Sequence, residues 1–153
     1  MISQSSKHCT VELQALPSRI GQVRRIVSAQ LRHWRLDPLV DLAALGVTEL
    51  LTNVHRHAEP DKMCVVRIER APELLTVSVH DHDPRVPNIT PAQDDDLFAT
   101  SGRGLSLIAA LSEAWGVEPS GDAQGKTVWF TLAAPPDLAP AQDDEPLHAV
   151  LIR

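Results

Sequence analysis

The chain has 153 residues, 43% hydrophobic and 22% charged, with a net charge of −6. That describes one globular domain with room for a real core. The acidic balance and the scarcity of aromatics (three Trp, two Phe, no Tyr) exclude a base-stacking, polyanion-binding surface, so no direct nucleic-acid partner is expected.

The start, MISQSSKHC, has no apolar h-region, and no apolar run is long enough to span a bilayer, so neither a signal peptide nor a membrane anchor is expected. Cys9 and Cys64 form no CxxC and have no zinc-type companions. They read as buried thiols in a reducing cytosol, which places the protein in the cytoplasm. A small anionic ligand stays open, because backbone N–H groups bind phosphate without net positive charge.

In chain order, residues 10–16 alternate with Val11, Leu13 and Ala15 on one face, a half-buried strand. Pro17 and Ser18 then open an amphipathic helix over 18–35, with Ile20, Val23, Ile26, Val27, Leu31 and Trp34 inward. Arg24, Arg25, Arg32 and Arg35 lie on its outer face, solvated or available to a partner or a second copy, so a homodimer stays open. Asp37-Pro38 reads as an N-cap followed by a first-turn proline. The helix it starts runs to about Ala58 and is dense in Leu, Val and Ala, hence mostly buried. Residues 63–70 and 74–81 read as a hairpin of two strands, the second ending at Asp81. Residues 84–101, with three prolines and the acidic run Asp94 to Asp96, read as an irregular loop. Gly102 and Gly104 then lead a helix. A strand around 114–118 and a last strand, KTVWFTLAA, follow, with Lys126 expected on the surface. Residues 135–153 read as a Pro-rich acidic tail outside the core, docked at most by its apolar tip. Domain residues thus run from 1 to 134. Strands and helices segregate. The expected class is α+β, a two-layer sandwich of a mixed, mostly antiparallel sheet with helices on one face.

The chemistry concentrates on the second helix, in ELLTNVHRHA. Glu49, Asn53 and His57 are four residues apart and share one helical face. On spacing alone this reads as a solvated face rather than a site. On a mostly buried helix, however, a polar stripe must face a cleft or find partners. Glu49 supplies a carboxylate and Asn53 a carbonyl oxygen, a pair suited to a hard cation and a water. A glycine-led helix N-terminus offers unpaired N–H donors and partial positive charge to a phosphate. Together these form a nucleotide site: Mg²⁺ bridges phosphates to Asn53, the backbone of Gly102 to Leu105 cradles them, and Asp81 accepts a hydrogen bond from an adenine amine.

These four segments, in order, resemble the motifs of the GHKL (Bergerat-fold) ATPases, closest to the small anti-sigma factor/serine kinases of the switch-protein type and their actinobacterial relatives. ELLTNVHRHA is similar to the N-box, VHDHDPRVP to the first glycine box, GRGLSLIAAL to the second and GKTVWFTL, with Gly125 and Thr127, to the third. The resemblance covers about residues 10–134. It implies Asn53 as Mg²⁺ ligand and Glu49 as general base in transfer of the γ-phosphoryl group of ATP. It also implies Asp81 as reader of adenine with help from Thr127, and Gly102, Arg103 and Gly104 as phosphate binders under a lid of residues 85–101. His57 either shapes the cleft or only packs. The implied function is a serine/threonine kinase acting on an anti-anti-sigma (STAS-like) partner, with sequestration of a sigma factor as a further role. The alternative is a non-catalytic binding module with ATP as conformational ligand or with a degenerate pocket. Asp83 stands where many relatives have glycine. An extra carboxylate there would weaken nucleotide affinity or change the loop geometry, and the acidic lid run would repel phosphates on closing.

Overall fold

The computed structural model describes residues 7–58, 61–85, 106, 108–121, 124–136 and 149–151. The element order is β1 (Lys7–Gln14), α1 (Pro17–His33), a 3-10 turn (Asp37–Leu39), α2 (Val40–His57), β2 (Met63–Ala71), β3 (Leu74–Asp81), β4 (Ala114–Pro119), β5 (Lys126–Ala133) and β6 (Ala149–Leu151). Residues 106 and 108–111 are helical. The architecture is the expected α+β sandwich. One six-stranded sheet has the order β4-β5-β3-β2-β1-β6. Its first five strands pair antiparallel, and β6 runs parallel to β1.

Strand periodicity builds the inner face. On β3, Leu75, Val77, Val79 and Asp81 are buried, while Thr76, Ser78 and His80 are partly exposed on the opposite face. The inner face meets α1 through Ile20, Val23, Val27 and Leu31, and α2 through Ala43, Val47, Leu50, Leu51 and Val54. Each fully buried Val, Leu or Ile contributes roughly 1.5–3 kcal/mol, so this layer contact carries most of the stability. Gly46 sets the height of α2: a Cβ there would overlap the Phe130 ring. Close approach is therefore possible only at a residue without a side chain.

Two junctions differ from the sequence expectation. The helix α1 closes with Arg35 in the left-handed region (φ 60) and a bond from Leu36 N–H to the Leu31 carbonyl at 2.8 Å. That turn swings Leu36 into the core. Asp37 consequently opens a 3-10 turn and caps nothing; α2 starts after Leu39 with no side-chain cap. Burial of Val40, Ala43 and Val47, rather than capping, fixes where α2 begins. At the far end of the chain, Ala149–Leu151 pairs in register with Thr10 to Glu12, so the tip of the tail is a strand of the sheet. The start of the tail is pinned too, by Arg70 Nη2 donating to the Pro135 carbonyl at 2.6 Å.

Candidate functional site

The helix α2 and strand β3 run side by side in the same direction. Gly46 lies against Phe130, which pairs with Val77. Further along, the segment after β3 returns to the α2 C-terminus, where Arg85 Nη2 donates to the His57 carbonyl at 2.6 Å. The Glu49/Asn53 stripe therefore leads toward the strand end that carries Asp81, with one turn, about 5.4 Å, per step of the stripe.

Glu49 and Asn53 are both partly buried. Burial pushes the Glu49 carboxyl above the usual range, and the positive charge of Arg56 opposes this. A carboxyl so placed is a better proton acceptor than a solvated one. His57 is exposed, and its backbone rather than its ring engages the rest of the site. The ring shares the stripe on its exposed end.

At the strand end, Asp81 is 2% and Lys126 6% exposed. Lys126 Nζ donates to Asp81 Oδ1 at 3.0 Å, lies 3.0 Å from Oδ2, and donates to the Asp83 carbonyl at 2.8 Å. Asp81 Oδ1 also accepts the Asp83 N–H at 2.8 Å. Directly across the register, the Cys64 thiol is pushed up to about 12 by burial first and by Asp81 and Asp61 next. Gly125 backs the cluster: a Cβ there would collide with the Asp81 carbonyl oxygen. The backbone at Gly125 has no positive φ, so glycine is required for space.

Three expectations are corrected by this geometry. Lys126 is not a surface charge. It pairs across the ladder with Asp81 and shares the inner face with Val128 and Phe130. Thr127 is not beside Asp81. It pairs with His80, its hydroxyl 3.1 Å from His80 Nδ1, on the opposite face of the sheet; one residue of strand reverses the side. Asp83 is not a free repulsive carboxylate. Arg85 holds it in a forked pair, Nε 3.0 Å from both oxygens and Nη2 2.6 Å from Oδ2. The residue that sequence reasoning missed is thus Lys126, and strand parity was the signal. Two and four positions before the buried Val128 and Phe130, a lysine sits on the core face and must be paired. Gly102, Arg103, Gly104, Leu105, residues 86–101 and the acidic run lie outside the described residues.

For a nucleotide with Mg²⁺, the fit divides. The donor set along α2, one carboxylate and one amide oxygen at a cleft edge, suits a hard cation held jointly with phosphate and water oxygens. Among the described residues no group of three or more His, Cys, Asp or Glu side chains could hold a metal by itself. The base end fits differently, since its carboxylate already has an ammonium partner.

The family profile described as histidine kinase-like ATPase domain matches residues 13–132. An uncharacterized protein of Streptomyces coelicolor is 42% identical over 77 residues, 50% of this chain and 72% of that protein. Among the described residues no helix is long and apolar enough to cross a membrane.

Proposed function

We propose that this chain, which belongs to the histidine kinase-like ATPase family, is an ATP-binding regulator that phosphorylates a serine or threonine of a small STAS-like anti-anti-sigma partner, and that it also holds a sigma factor. Family membership implies the nucleotide; kinase activity and both partners are the reading offered here. One observation carries the catalytic part: a carboxyl held above its ordinary range by burial, on the same helix face as a carboxamide one turn away.

In this reading Asn53 would hold Mg²⁺ through its amide oxygen. When bound, the ion would supply charge neutralisation at the phosphates. Glu49 accepts the proton of the partner's hydroxyl as its oxygen bonds to the γ-phosphorus and the bond to the β-bridging oxygen breaks. Burial of Glu49 keeps that proton acceptor poorly hydrated, which raises its basicity.

Transfer of label from [γ-³²P]ATP to candidate antagonists, with Mg²⁺, tests the assignment. Glu49→Ala and Asn53→Ala are each expected to lower the rate by about 10²-fold or more. Label transfer that survives both replacements removes these roles. A second reading, an ATP-gated or degenerate binding module without catalysis, is favoured by the Lys126 partner of Asp81. Nucleotide binding in calorimetry without label transfer to any antagonist selects it.

A further inference from the structure

The two edges of the sheet are finished differently. On one side β6 pairs with β1 and covers it. On the other side β4 comes last, and among the described residues no strand pairs with its outer edge. Ladder bonds in an antiparallel pair use every second residue. Ser120 N–H donates to the Gly125 carbonyl at 2.9 Å, so Glu118 and Gly116, at even steps from Ser120, turn their backbone groups toward β5. Trp115 and Val117 turn theirs outward.

Exposed edges are ordinarily blunted by lysine, by proline or by brevity. The strand β4 has six residues, no lysine, and a proline only at its end. It carries tryptophan instead. Trp115 pairs with the buried Phe130 and so takes the helical side of the sheet, yet it is 41% exposed. Leu111, which ends the helical residues just before the strand, is 54% exposed. These are the large apolar side chains left exposed among the described residues, and both sit at this edge. On the opposite face the Trp129 ring packs against Gly116, where a Cβ would lie 2.8 Å from the nearest ring atom. The edge is therefore aromatic on both faces.

Charge selects the occupant. Glu113 and Glu118 are exposed at the two ends of β4. A second copy that paired antiparallel, Trp115 against Val117, would set each Glu118 opposite Ala114 and next to Glu113 of the other chain. Like charges so placed are destabilising. A strand with basic ends meets opposite charge at both.

We infer that the outer edge of β4 takes on an extended segment of a partner protein, apolar in its middle and basic at its ends. Main-chain bonds to Trp115 and Val117 attach it, and its alternate apolar side chains cover Trp115 and Leu111. The inference does not rest on the nucleotide reading of the cleft.

The test is fluorescence anisotropy of the full chain with a labelled peptide of about seven residues, alternating Val and Thr between terminal lysines. At low salt it is expected to bind at least about tenfold tighter than the same peptide with terminal glutamates, and the gap should narrow as salt rises. N-methylation of alternate peptide amides should abolish binding in one phase and spare it in the other, because only one edge of the peptide faces β4. Val117→Pro removes an outward N–H at a position where an edge strand tolerates proline, and should weaken binding by about tenfold or more. Trp115→Ala should weaken it as well. No binding of the lysine-ended peptide at millimolar concentration, equal binding of both peptides, or equal effects of the two methylation phases overturns the inference. The methylated peptides decide this on the wild-type chain, even where a variant fails to fold. A dimer of the peptide-free chain in sedimentation equilibrium that Val117→Pro dissolves gives the edge to a second copy and overturns it too.

Discussion

The two ends of the cleft hold carboxylates in opposite electrostatic states. Glu49, on α2, is partly buried, and among the described residues the charge of Arg56 opposes the effect of that burial. Asp81, at the end of β3, is almost fully buried, yet an ammonium and a backbone N–H match it. Beside it, Asp83 is matched by Arg85. One end is left electrostatically incomplete and the other is closed upon itself. A group that must bind and release ligand or proton stays undersatisfied and costs stability, whereas a group satisfied internally contributes to the fold and gives up part of its reach toward ligands.

The largest effect expected from breaking this contrast is at Lys126. Lys126→Met strands the Asp81 carboxylate and should cost about 3–5 kcal/mol in urea unfolding. Adding Asp81→Asn should recover most of that loss, so that a double-mutant cycle reports strong coupling. Cys64 gives a second readout. Its thiol is buried and pushed up to about 12, so alkylation at pH 8 is expected to require opening of the protein and to quicken in the single variant.

Next in size is Gly46→Ala. The added methyl overlaps Phe130 and should cost about 1–3 kcal/mol as α2 lifts from the sheet. Nucleotide affinity should fall while the Asp81–Lys126 coupling persists; loss of that coupling would mean the two ends are not separable.

The smallest effect is at Glu49. The folded state raises its pKa, so ionising it costs more in the folded chain than in the unfolded one. Stability associated with this group is present below its ordinary value and lost as pH rises through the raised one. Glu49→Gln should therefore raise the melting temperature modestly at pH 7, and the gain should disappear below about pH 4. A destabilising Glu49→Gln would instead make this carboxylate structural.

Much of this was legible in residue order. The periodicity of β1, α1, β2 and β3 and the buried density of α2 follow from apolar spacing, because those elements exchange water for one common core. The stripe of Glu49 and Asn53 was legible as spacing on a helix. What escaped depended on parity and partners. Thr127 and Lys126 differ by one position, and only the ladder pairing with His80 and Asp81 decides which of them faces the cleft. Asp83 read as a liability because its match, Arg85, reaches it through a turn. Asp37 read as a cap because Asp-Pro satisfies the local rule, while the left-handed Arg35 that redirects the chain carries no sequence signal of its own: most left-handed residues at helix ends are Gly or Asn.

The short parallel strand β6 has a consequence for the order of events in folding. Its pairing of Ala149 with Thr10 joins positions 139 residues apart, by far a longer closure than the hairpin of β2 and β3. Closing so large a loop costs entropy that three residues of pairing repay only once the rest of the sheet has formed. That edge is therefore the last to assemble and the first to open. Each opening uncovers the β1 backbone as a bare edge able to accept another strand in its place.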